Sequence, residues 1–164
     1  CRTCSELAPA AARVTIRRLA LVERDFVMRI VKQLAELLAR ALRLKREQRY
    51  GEAAQTLEGG CLDLLGLEFG ALALVDSSSA AQLLGDVTRV RAFAALLEEL
   101  SDVHRLDGAE AKARARARHA FEMYCEALAR KGDDAESLAG LDRLRPHVDV
   151  ASLPPRYARQ SPVG

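Results

Sequence analysis

The sequence predicts an all-helical protein, and three observations carry that prediction. Ala, Leu and Arg, all strong helix formers, number 29, 26 and 21 and so fill 76 of the 164 positions. Residues that build strands are scarce: Ile occurs twice, Trp never, and aromatic residues make up 4% of the chain, which argues against a sandwich or barrel. Apolar residues also recur every three or four positions over long stretches, the period of an amphipathic helix. A chain of 164 residues fits one domain and should bury roughly 70% of the surface its unfolded form exposes, enough to fold without a disulfide or a metal.

The chain opens on Cys1-Arg-Thr-Cys4, an Ala-rich patch and Arg17-Arg18. Residues 1–21 are expected to be a leader that is unstructured or lies upstream of a true start near Val22. A mature lipoprotein cysteine would need a signal peptide, and a Cys-x-x-Cys zinc site a second pair of ligands at a readable spacing; the sequence has neither. From Val22 the pattern sharpens: Phe26, Ile30, Leu34, Leu37, Ala41 and Leu44 form one row, widened by Val27, Val31, Leu38 and Leu42. This is a long amphipathic helix with Leu34 expected in the core. Its polar side carries the i,i+4 pairs Asp25/Arg29, Glu36/Arg40 and Arg43/Glu47.

After a break at Gln48–Gly51, Tyr50, Ala54, Leu57, Cys61 and Leu64 mark a second helix ending at Gly66. Gly59-Gly60 in its middle costs about 1 kcal/mol per Gly relative to Ala, so either the helix kinks there or a neighbour approaches closely, the second being preferred. Residues 67–75 suit a helical turn or two, and Asp76-Ser-Ser-Ser79 supplies a cap, with Ser79-Ala-Ala-Gln82 matching a capping box. Helices are then expected from Val87 to the Asp107-Gly108 stop, from Ala109 to about Lys131, and from Asp133-Asp-Ala-Glu136 to Pro146, the last carrying Leu138, Leu141 and Leu144. The single domain is therefore 22–147, and 148–164, with Leu153-Pro154-Pro155, is expected to be an extended or disordered tail.

Two helix pairs resemble tetratricopeptide hairpins. Leu37, Ala41 and Leu44 precede Tyr50-Gly-Glu-Ala53 and Leu57, and Phe121, Cys125 and Leu128 precede Gly132-Asp-Asp-Ala135 and Leu141. The first pair has Gln48 where that repeat has a turn Gly, and the pairs do not form a tandem array. The run Val22-Glu-Arg-Asp25-Phe26-Val-Met28-Arg29, followed by a Leu-rich helix and Arg-Tyr50-Gly-Glu-Ala53, is similar to the start of a family of small uncharacterised bacterial all-helical proteins. The resemblance implies an all-α fold of tetratricopeptide-like hairpins packed as a single bundle or short solenoid; it carries no activity and no functional residues. A surplus of Arg over Lys (21 to 4) and the absence of Asn also look like a GC-rich bacterial genome.

Net charge is +2, too balanced for a dedicated nucleic-acid or membrane-surface binder. Residues 22–49 carry +4 and residues 50–108 carry −7, which suits packing of one on the other or self-association. The longest apolar stretch, Leu62 to Val75, is too short to span a bilayer, and four sparse cysteines do not form a secreted disulfide framework, so a cytoplasmic protein is expected. His104, His119 and His147 are expected at the surface or its rim, without a ligand or carboxylate at a useful spacing. No nucleophile, phosphate-loop or metalloprotease pattern occurs, so no enzyme and no cofactor is expected. Lys112-Ala-Arg114-Ala-Arg116-Ala-Arg118 spreads its charge around a helix, with Ala113 expected on the surface. The leading reading is a non-enzymatic helical protein-interaction module whose docking patch is Arg40, Arg43, Lys45, Arg46 and Arg49; a nucleic-acid-associated regulator using the Arg-rich segments is the alternative.

Overall fold

The computed structural model describes the backbone of residues 8–159 and the side chains of residues 23–159. Among the described residues all regular structure is helical: α1 (Ala8–Arg46), α2 (Tyr50–Leu65), α3 (Phe69–Leu74), α4 (Ser77–Leu84), α5 (Val87–Leu106), α6 (Glu110–Arg130), α7 (Ala135–Leu144), two 3₁₀ turns at Arg145–His147 and Val150–Ser152, and α8 (Pro155–Ala158).

Helix α1 begins at Ala8 rather than near Val22. Residues 8–21 lack the long apolar row of the following segment, but Ala, Arg and Leu favour helix without one, so the backbone of the expected leader continues the helix. Residues 1–7 lie outside the described residues. Arg43, Lys45 and Arg46 in the last turn complement the helix dipole. Gln48 then takes the left-handed conformation (φ 58°), and Arg49 N–H donates to the Leu44 carbonyl at 2.9 Å, so Gln48 occupies the place of the missing turn Gly at some cost in strain.

Helix α2 packs on α1 through Ala53, Leu57, Cys61, Leu64 and Leu65, and it closes on left-handed Gly66. The glycine pair divides its roles. A Cβ on Gly60 would lie 2.6 Å from Leu37 Cδ1, whereas one on Gly59 would meet nothing within 4 Å. Close approach at Gly60 is what lets Leu37 bury. Helix α4 starts three residues earlier than the Ser79 capping box implied, because Asp76 accepts from Ser78 and Ser79 N–H and a carboxylate satisfies both orphan donors. Asp86 caps α5 and Asp134 caps α7 in the same way.

Helix α5 is the centre of the molecule. It packs against α1 and α2 on one side and lies along α6 on the other, while α7 packs on α6. Phe93, Leu96, Leu97 and Leu100 from α5 meet Leu57 and Leu65 from α2 and Phe121 and Met123 from α6 in one apolar core. The column Ala113, Ala117, Ala120 is buried on the α5 side of α6, so Ala113 belongs to the interior and not to the solvated face expected for it. Small side chains at spacings of four and three residues share one helix face and let two helices approach closely.

The expected extended tail folds back over α6. Leu153 and Tyr157 are buried, and Tyr157 Oη donates to Glu126 Oε1 at 2.9 Å. The segment is too short and too rich in Pro to show helical periodicity, yet it holds two large apolar side chains that gain by leaving water. Residues 160–164 lie outside the described residues.

Candidate interaction groove

Helix α1 carries two apolar rows, and only one is covered. Ile30, Leu37 and Ala41 are buried against α2 and α5. The adjacent row, Val27, Val31, Leu34, Leu38 and Leu42, remains half-buried or exposed, with Val31 at 45% and Leu42 at 43%. Leu34, expected in the core, belongs to this second row, because the stripe is wider than the surface α2 and α5 can cover.

That second row borders a cavity of about 360 Å³. Val31, Leu34, Ala35 and Leu38 of α1 form one wall; Thr88, Arg91, Ala92 and Ala95 of α5 form the floor; Glu136, Ala139 and Arg143 of α7 form the other wall; and Tyr124 of α6 closes the base. The two walls stand apart because α7 is drawn onto α6 instead. Gly140 makes that possible: a Cβ there would lie 2.5 Å from the Tyr124 ring.

Each charge on the α5–α7 side of the groove is paired. Arg91 Nη1 lies 2.7 Å from Asp134 Oδ1, and its Nε 2.9 Å from Glu136 Oε2. Burial pushes the Asp134 carboxyl upward, but hydrogen bonds from Ser137 and the Arg91 charge outweigh it, holding the group below the ordinary carboxylate range. Arg143 grips Glu98 with both Nε (2.6 Å) and Nη2 (3.0 Å), and Tyr124 Oη donates to Glu98 Oε2 at 2.8 Å. Burial first, and then the Glu98 charge, raise the Tyr124 hydroxyl far above its usual range, so it is held as a donor. With its cations and carboxylates mutually satisfied, the groove offers apolar surface and shape.

The five residues expected as a docking patch separate. Lys45 Nζ lies 2.7 Å from Glu99 Oε1 and 3.9 Å from Asp102 Oδ2, tying α1 to α5. Arg49 forks onto Glu52 (2.7 and 2.5 Å) and reaches Glu47 at 2.8 Å, fixing the α1–α2 turn. Arg40, Arg43 and Arg46 are exposed. In the Arg-rich segment, Arg116 lies over the Phe69 ring at 4.8 Å and Arg118 pairs with Glu122 at 3.1 Å, while Lys112 and Arg114 are exposed.

Of the three histidines expected at the surface or rim, His104 is interior and His119 half-buried. His104 is buried, and burial followed by the Lys112 and Arg116 charges lowers its affinity for a proton. His119 meets Phe93 edge-on at 5.6 Å, and its Nε2 is buried without a hydrogen-bond partner; burial is the main cause of its lowered pKa. His147 is exposed. Cys61 and Cys125 are buried free thiols, each pushed up to about 12 by burial. Among the described residues no group of three or more His, Cys, Asp or Glu is placed to hold a metal ion, and no helix is long and apolar enough to cross a membrane.

The groove walls on α5 and α7 were not visible in the sequence. Their available signal was the excess width of the α1 stripe, which reports uncovered apolar surface without saying what lies beside it. Compared with known proteins, the chain matches no family model, no curated protein and no solved structure.

Proposed function

We propose that the protein is a non-enzymatic interaction module that takes a helical segment of a partner protein into the groove between α1, α5 and α7. The observation that carries this reading is the half-exposed second row of α1 over a 360 Å³ cavity. An apolar strip next to a ready-made recess is the form in which helix-in-groove recognition presents itself.

The packing order supports a tetratricopeptide-like description. Helices α1 and α2 pair, α5 and α6 pair, and α5 also packs on both members of the first pair, with α7 following as a third inner helix. In this reading the second hairpin is α5–α6, rather than the α6–α7 pair that the Phe121, Cys125 and Leu141 spacing resembled. The inner helices α1, α5 and α7 line the groove, as the first helices of such repeats line a concave face. Two buried free thiols favour a reducing cytoplasm. The nucleic-acid alternative draws less support, since Arg116 and Arg118 are engaged by Phe69 and Glu122.

The test is a selection from displayed 22-residue helical peptides with a randomised apolar stripe and Gln on the flanks. Wild-type protein should enrich a defined stripe at least tenfold over variants with the groove filled from either wall, Ala139→Phe or Ala35→Phe, both exposed positions. Equal recovery on filled and open grooves would overturn the reading.

A further inference from the structure

From the charges around the groove we infer that its occupant is an acidic amphipathic helix, apolar on the face that enters the cavity and carrying Asp or Glu along its flank. The inference rests on the groove being a docking site and names the chemistry of what docks. On α1, Arg24, Val31, Ala35, Leu42 and Arg46 follow one another at 7, 4, 7 and 4 residues, which places them along one ridge of the helix. Val31 and Ala35 line the cavity, and Arg24 and Arg46 stand on the same ridge beyond the two ends of that lining, about 33 Å apart at 1.5 Å per residue.

The other charges bordering the groove are already spent inside the molecule. Glu136 is held by Arg91, Glu98 by Arg143 and Tyr124, and Glu99 by Lys45. Arg24 and Arg46 are exposed and make no ion pair among the described residues. The field that an incoming helix meets along the α1 rim is therefore positive, while on the α5–α7 side Arg91 and Arg143 are outnumbered by one by Asp134, Glu136 and Glu98, so the acidic flank of the occupant is the one that faces α1. Complementary charge on the approaching face selects acidic over basic helices, and the preference weakens with salt because both arginines are solvent-exposed.

The experiment offers the protein two 22-residue helical peptides bearing the same apolar stripe, one with Glu and one with Lys at the flanking positions, and measures binding by fluorescence anisotropy at low and high salt. The Glu peptide should bind roughly tenfold more tightly at low salt, with the ratio shrinking at 1 M salt. In Arg24→Glu/Arg46→Glu the preference should reverse, and in Ala139→Phe both peptides should lose binding. Equal affinity of the two peptides, still abolished by Ala139→Phe, would overturn the acidic occupant and leave the groove reading standing. Binding of neither peptide, or binding indifferent to Ala139→Phe, would overturn both. Sedimentation as a dimer that Ala139→Phe converts to monomer would show that a second copy fills the groove, and would also overturn the inference.

Discussion

His119 links the packing of a single side chain to the pH dependence of stability. It stands on the Arg-rich face in sequence, yet its ring is packed edge-on against Phe93 and its Nε2 has no partner. Burial lowers its pKa in the folded protein, and the same holds for His104. The unfolded chain therefore binds more protons than the folded one as pH falls below the ordinary histidine value of about 6.5, and stability present above that value is lost on acidification. Asp134, shifted below the ordinary carboxylate range, adds its loss only at lower pH. The unfolding free energy of the wild type, measured by urea denaturation, should drop between pH 7 and pH 5 by at most about 1.4 kcal/mol per pH unit for each proton taken up, and His119→Leu should flatten the drop. An unchanged slope in the variant would show that His119 titrates as it does in the unfolded chain.

The helices meet at small residues. Gly140→Ala in the interior of α7 would ordinarily gain about 1 kcal/mol of helix propensity, but the new methyl would meet the Tyr124 ring at 2.5 Å, and the expected result is a loss of about 1–3 kcal/mol in denaturant unfolding. Ala41→Leu, at a fully buried position between α1 and its neighbours, should cost a similar amount, whereas Ala111→Leu on the exposed side of α6 should be close to neutral. Equal midpoints for Ala41→Leu and Ala111→Leu would contradict the close packing of α1. Element boundaries were largely legible because caps are written locally: Asp86, Gly66 and the Asp107-Gly108 stop act on their own backbone. The folded tail was not legible, since Leu153 and Tyr157 bury in the core, and Tyr157 bonds to Glu126 of α6, through long-range contacts that no local pattern encodes. Leu34 is half-buried against the core rather than inside it for a related reason: periodicity assigns it to an apolar stripe, but which row of that stripe is covered depends on how far α2 and α5 reach.

At the scale of the whole molecule, a helical array is held together by α5, while α1 and α7 flank it without closing over it. The sequence foretold the all-helical class and the charge imbalance between the opening helix and the middle of the chain. It could not foretell the groove, which arises where three helices far apart in sequence leave space. The most direct test of that groove as the docking site is the backbone amide NMR spectrum of the protein titrated with a peptide recovered from the neutral-flank selection. Shifts should change along residues 27–42 of α1, 88–95 of α5 and 136–143 of α7, with α4 and the buried face of α2 unperturbed. Changes centred instead on residues 112–118 of α6, or on α2 and α4, would contradict the account.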